Sequence, residues 1–134
     1  MIEDDILSAL QKGVIAAVAA SITPALPVKY IGRTWTIPDD QKWLELVFIP
    51  NNSEDCWGDE QTHMGMFRFI LHWPNQDAGA YEPLRVIRSI ASYFVKGQRL
   101  QNVQIYAKPA LTGLVEDGSE MLFPASLRYI TFEQ

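Results

Sequence analysis

The stretch from Met64 to Trp73 constrains the fold more than any other part of this sequence, because it predicts one long amphipathic strand. Alternate side chains of a strand point to opposite faces of a sheet. One predicted face is strongly apolar and belongs to the core: Phe67, Phe69, Leu71 and Trp73. The other is mixed: Met66, Arg68, Ile70 and His72. We read His72, on this mixed side, as a half-buried structural histidine and not as a general base.

Two helices are predicted, one before and one after this strand. Glu3 to Ser21 carries apolar residues at intervals of three and four, with acidic residues at its start and prolines beyond its end. Glu82 to about Val95 has a second apolar stripe, with Pro83 in its first turn and Gly97 as a stop. Both helices are amphipathic and should lie on a sheet.

The remaining apolar stretches predict strands. These are Val28 to Ile31, Trp43 to Ile49, Val103 to Lys108, Leu111 to Val115 and Phe123 to Phe132. The order is helix, three strands, helix, three strands. The simplest packing is an α+β fold, with two helices on one face of a mostly antiparallel sheet of five to six strands. The length of 134 residues fits a single domain, 1–134.

Charge and cysteine content exclude several classes of function. The formal net charge of −5 leaves no broad basic face for phosphates, so direct nucleic-acid recognition is not expected. The apolar run Val14 to Ala20 follows acidic residues and is too short for a membrane span, which excludes a signal peptide and a membrane role. The single cysteine, Cys56, fits a protein made in a reducing cytoplasm.

A long exposed loop is predicted from Pro50 to His63, and it holds the only material for a chemical site. Asp55, Cys56, Asp59, Glu60 and His63 fall close together, with His72 elsewhere. The sequence lacks a second cysteine, paired helical histidines and a glycine-rich phosphate loop. Cys56 and His63 have no recognisable third group to complete a nucleophilic site. We therefore predict no enzyme, no cofactor and no dedicated metal site, although carboxylates of this loop could attract calcium or magnesium loosely.

Five stretches together resemble the tail terminator, or tail completion, proteins of long-tailed bacteriophages. They are Val47-Phe48-Ile49-Pro50, Gly65 to Leu71, Asn75-Gln76-Asp77-Ala78-Gly79, Tyr93-Phe94-Val95-Lys96-Gly97 and Phe123 to Tyr129. The resemblance implies a structural virion protein, assembled in the host cytoplasm, that forms a ring of typically six copies at the head-proximal end of the tail tube. Its implied partners are itself, the tube protein and the head connector. It implies no catalytic residues.

The interface residues have to be proposed from the sequence itself. A ring-forming protein should expose aromatic side chains that have no partner within their own domain. Trp57 is the first candidate, because it lies in the loop among Glu54, Asp55, Asp59 and Glu60. Trp35 and Tyr81 also lie in predicted loops, where the alternative is that they fold back onto their own domain.

Three arginines are further candidates for contacts between subunits. Arg85 and Arg88 on the second helix and Arg68 on the long strand could pair with acidic residues of a neighbour and set the register of a ring. Ordinary solvated surface is the alternative for all three. For the whole chain, the alternative function is a small adaptor or ligand-binding α+β domain that uses the apolar sheet face as a pocket.

Overall fold

The computed structural model describes residues 2–22, 25–50, 54–55, 61–101 and 103–133. These residues form two helices and eight strands. In chain order they are α1 (Ile2–Ser21), β1 (Val28–Lys29), β2 (Trp43–Pro50), β3 (Glu54–Asp55), β4 (Gln61–Pro74), α2 (Tyr81–Ser92), β5 (Arg99–Leu100), β6 (Val103–Leu111), β7 (Val115–Asp117) and β8 (Glu120–Glu133).

One mixed sheet contains all eight strands. Its order is β1-β2-β4-β8-β6-β5, with β3 paired to β4 and β7 paired to β8. The two longest strands, β4 and β8, lie side by side at the centre and pair antiparallel over their whole lengths. The β1–β2 pair is parallel. The α+β prediction is confirmed, but the sheet is larger than predicted and mixed.

Both helices pack on one face of this sheet and form one core with it. Ile6, Leu10 and Val14 of α1 are buried, as their spacing predicted, and so are Ile87 and Ile90 of α2. The strands contribute their alternate residues to the same cluster, including the predicted set Phe67, Phe69, Leu71 and Trp73 and the β8 set Met121, Phe123, Ala125, Leu127 and Tyr129. Burial of this many large side chains is the main stabilising term of the fold.

The second helix begins and ends for local reasons. Its first turn contains Glu82, which interacts favourably with the helix dipole, and Pro83, which needs no donor there. Past the helix, Gly97 has a positive φ of 88° and donates its N–H to the carbonyl of Ile105. Only glycine adopts this backbone conformation without strain, so the chain can turn here into β5 and β6.

Several predicted boundaries are wrong. Tyr81 is the first residue of α2 and not a loop residue. The predicted loop from Pro50 to His63 contains β3 and the first residues of β4, which pair with each other as Glu54 with Thr62 and Asp55 with Gln61. Polar residues occupy these strands, so their hydropathy gave no sign of the pairing, which backbone hydrogen bonds supply.

Candidate functional site

The face of the sheet opposite the helices is covered by neither helix. Its side chains alternate with the buried ones along three neighbouring strands. We call it the open face and define it as Trp43, Glu45, Val47 and Ile49 of β2, Met66, Arg68, Ile70 and His72 of β4, and Glu120, Leu122, Pro124, Ser126 and Arg128 of β8. Its charged residues separate into an acidic end and a basic end.

The acidic end is built around His72, which is only 7% exposed. Its Nε2 lies 2.8 Å from Oε1 of Glu45, and its Nδ1 lies 3.3 Å from Oε1 of Glu120. The imidazole also stacks on the Trp43 indole, with ring centroids 3.8 Å apart and planes 7° apart. A neutral imidazole donates one hydrogen bond and an imidazolium donates two, so only the charged ring can donate to both carboxylates.

This cluster ties together the three central strands, because Glu45 lies on β2, His72 on β4 and Glu120 on β8. The expected structural role of His72 agrees with this geometry, although the residue is buried and not half-buried. The sequence prediction singled out His72 but missed both of its carboxylate partners. Glu120 was missed because the predicted last strand began three residues later, at Phe123.

The basic end carries two guanidinium groups with few partners. Arg68 is half-buried; its Nε donates to Oγ of Ser126 over 3.3 Å, and its Nη2 lies 3.8 Å from Sδ of Met66. Arg128 is exposed. Within the described part of the chain, neither arginine has a carboxylate partner. A half-buried cation is stabilised by an anion, so this end is suited to an acidic partner.

The two aromatic interface candidates lie in different surroundings. Trp35 is half-buried, and its ring lies 5.2 Å from that of Trp43, next to the acidic end of the open face. It therefore contacts its own domain and is partly exposed, and its proposed interface role stays a prediction. Tyr81, at the start of α2, is 80% exposed and so remains free for a partner.

The other two arginine candidates lie on the opposite side of the sheet from Arg68. Arg85 and Arg88 are exposed on α2. Arg88 borders a groove of about 520 Å³ between the end of α2 and β6, which is lined by Arg88, Ala91, Ser92, Phe94, Val95, Lys96, Pro109 and Leu111. The structure therefore does not bring the three arginines together, and one flat partner surface could not contact Arg68 and Arg88 at once.

Much of the predicted acidic loop lies outside the described residues. Cys56, Trp57, Asp59 and Glu60 are among the residues that the structure does not describe. The backbone of Glu54 and Asp55 forms β3. Among the residues that the structure does describe, no group of three or more histidine, cysteine, aspartate and glutamate side chains could hold a metal ion. The apolar sheet face that a ligand-binding domain would need as its pocket is filled by the two helices.

No helix in the described ranges is both long enough and apolar enough to cross a membrane. In comparisons with known proteins, a family model described as phage tail terminator protein matches residues 5–129. Among the solved structures that share the fold, one has a TM-score of 0.80 and 24% identity, and the match covers 96% of this chain and 94% of the other. None of the curated proteins matches this sequence.

Proposed function

Because this chain belongs to the phage tail terminator family, as the match over residues 5–129 shows, we propose that it caps the tail tube, ends tube polymerisation and provides the surface to which the head connector docks. It is a component of the virion tail, and its family is structural, not catalytic. We further propose that it acts as a ring, with six copies as the expected number, at the head-proximal end of the tail. Assembly in the host cytoplasm is part of the same proposal.

The observation that carries this proposal is the extent of the family match. It begins in α1, includes α2 and ends at Tyr129 in β8, so it takes in both helices and all the strands that build the core. The match therefore concerns the whole folded unit and not one shared motif. The partners follow from the role: further copies of the chain, the tube protein and the head connector. The net charge of −5 argues against direct nucleic-acid recognition in addition.

The predicted loop that contains Trp57, which lies outside the described residues, is our proposed contact to the tube, to a neighbouring subunit or to the lumen of the ring. Four carboxylates surround this indole in the sequence: Glu54, Asp55, Asp59 and Glu60. Large aromatic residues are enriched among the side chains that contribute most to binding, and surrounding charge favours one orientation of the partner. Replacing Trp57 with Ala should weaken self-association or tube capping, whereas Trp57→Phe, which keeps a large aromatic side chain, is the matched control and should weaken them less.

The ring is tested by measuring the mass of the purified chain by light scattering over a range of concentrations, with and without magnesium. Negative-stain images of any large species then show its shape. A closed ring with a central hole is the expected result. Because terminators could associate only on a tube end, the same protein is also added to polymerising tube protein of its own phage.

In that second experiment the expected outcome is shorter tubes with a visible cap at one end. Electron micrographs give both the length distribution and the occupancy of the tube ends. Tubes of unchanged length with bare ends, together with a protein that stays monomeric under every condition, would refute the capping role. Magnesium dependence of the mass would instead point to the acidic loop as a cation-sensitive contact.

A further inference from the structure

We propose that the open face pairs with itself, so that two copies of the free chain pack sheet against sheet around a two-fold axis. The axis lies in the plane of contact, perpendicular to the strands, and passes over Ile70 of β4 and Pro124 of β8. These two residues are direct partners across the β4–β8 ladder, so one line crosses both. A two-fold contact of this kind differs in symmetry from the head-to-tail contacts that close a ring, and it does not depend on the tail role.

The charges of β8 are placed symmetrically about this axis. Glu120 and Arg128 lie four residues before and four residues after Pro124, and all three are on the open face. A two-fold axis perpendicular to the strands reverses their direction. Arg128 of one copy therefore lies over Glu120 of the second copy, and the reciprocal pair forms at the other end of the strand. Two complementary charge pairs result from one operation.

The charges of β4 obey the same symmetry. Arg68 and His72 lie two residues on either side of Ile70. The rotation brings the half-buried Arg68, which has no carboxylate partner among the described residues, to the acidic cluster around His72 in the second copy. Glu45 lies level with Ile70, close to the axis, but its carboxylate is held by His72, two residues away from the axis. The two Glu45 carboxylates are thus drawn apart.

Apolar side chains occupy the centre of the open face and would be covered by the pairing. Val47, Ile70, Leu122 and Pro124 lie within two residues of the axis, and Ile49, which is 39% exposed, lies four residues from it. Trp43 of one copy is brought over Val47 of the second copy, because the two residues lie equally far from the axis on β2. Sheets that pack face to face lie about 10 Å apart, a distance that opposed arginine and glutamate side chains span.

The size of the face sets the strength of the pairing. Strand spacing and rise give three strands of up to nine residues a footprint of about 440 Å² per copy, compared with roughly 800 Å² per partner in a standard interface. The pair should therefore be weak, form only at high concentration and dissociate further as salt screens its charges. A two-fold contact uses the same patch on both copies and is closed, so it joins two copies and no more.

The test is sedimentation velocity over a wide concentration range on the wild-type chain, on Arg128→Glu and on Glu120→Arg. Each variant places like charges opposite each other at both ends of the pair, so dimerisation should weaken by at least about tenfold. An equimolar mixture of the two variants should recover it, because both charge pairs are then complementary. Lys12→Glu, at an exposed position of α1 on the helix side, is the control and should dimerise like wild type.

Circular dichroism verifies that every variant is folded, which matters for Glu120→Arg because Glu120 also contacts His72. A wild-type chain that remains monomeric at all concentrations would overturn the proposal. So would a dimer that both variants leave unchanged, or a mixture that fails to recover association. A ring or tube cap that forms equally well with Arg128→Glu leaves the terminator role intact, so the two proposals fail independently.

Discussion

Replacing Gly65 with Ala should destabilise the protein, because the space that a side chain needs there is already filled. Gly65 in β4 lies directly opposite Tyr129 in β8. A Cβ at Gly65 would meet the Tyr129 hydroxyl, would lie 2.7 Å from Cζ of the same ring, and would lie 2.8 Å from the carbonyl oxygen of Ile49. The Tyr129 side chain is 1% exposed and the Ile49 oxygen is backbone, so neither can move freely.

The magnitude follows from two opposing terms. Inserting one carbon into a packed core reduces the free energy of unfolding by about 1–3 kcal/mol, and the backbone contact with Ile49 places Gly65 at the upper end. Alanine recovers about 0.5 kcal/mol, because it loses less backbone entropy on folding than glycine. The net loss is about 2 kcal/mol, which for a domain of this size lowers the melting temperature by about 8 °C.

Urea and thermal unfolding followed by circular dichroism measure this loss. Gly13→Ala is the control: its Cβ would lie 3.0 Å from Leu100 Cδ1 and 3.3 Å from Phe94 Cε1, which are longer contacts than those at Gly65, and alanine favours the helix. That variant should remain within about 1 kcal/mol of wild type. Adding Tyr129→Phe should reduce the cost of Gly65→Ala by about 1 kcal/mol, since it removes one of the clashing atoms. Unchanged stability of Gly65→Ala would refute the packing argument.

Three further predictions concern single positions. His72→Phe keeps an aromatic ring beside Trp43 but leaves Glu45 and Glu120 without their donor. We expect the free energy of unfolding in urea to fall by about 1–2 kcal/mol, a loss that the partial exposure of both carboxylates limits. An unchanged free energy of unfolding would mean that the cluster contributes nothing to stability. Ile87→Ala removes a fully buried side chain of α2 and should cost about 2–5 kcal/mol in the same assay; a loss below 1 kcal/mol would contradict the burial. Tyr81→Ser, at an 80% exposed position, should change stability by less than about 0.5 kcal/mol, so any loss of self-association in light scattering would identify Tyr81 as a contact residue.

The parts of the fold that the sequence predicted correctly are those with a strong local period. The alternation along β4 and the helical spacing of α1 and α2 identified residues that the structure buries, including Phe67 and Phe69. The predicted order of α1, β4 and α2 along the chain is also correct. Where the local period is weak, strands were missed: β3 lies in the predicted loop from Pro50 to His63, and no strand was predicted at β5.

The candidate site could not be predicted in the same way, because its residues come together only across strands. Glu45, His72 and Glu120 are 27 and 48 residues apart along the chain. The register of β2, β4 and β8 places them together, and a slip of one residue would turn a strand's side chains to the other face. The sequence showed each residue but gave no measure of their proximity.

By itself, then, the sequence determined the α+β class, the two amphipathic helices and the faces of the long strand, because hydrophobic burial follows periods of two and 3.6 residues that are written locally. It also carries the pattern of the tail terminator family. Only the tertiary structure decided the mixed eight-stranded sheet, the central β4–β8 pair and the acidic and basic ends of the open face. Strand order, register and close contacts such as Tyr129 beside Gly65 depend on packing between distant segments, which local periodicity does not encode.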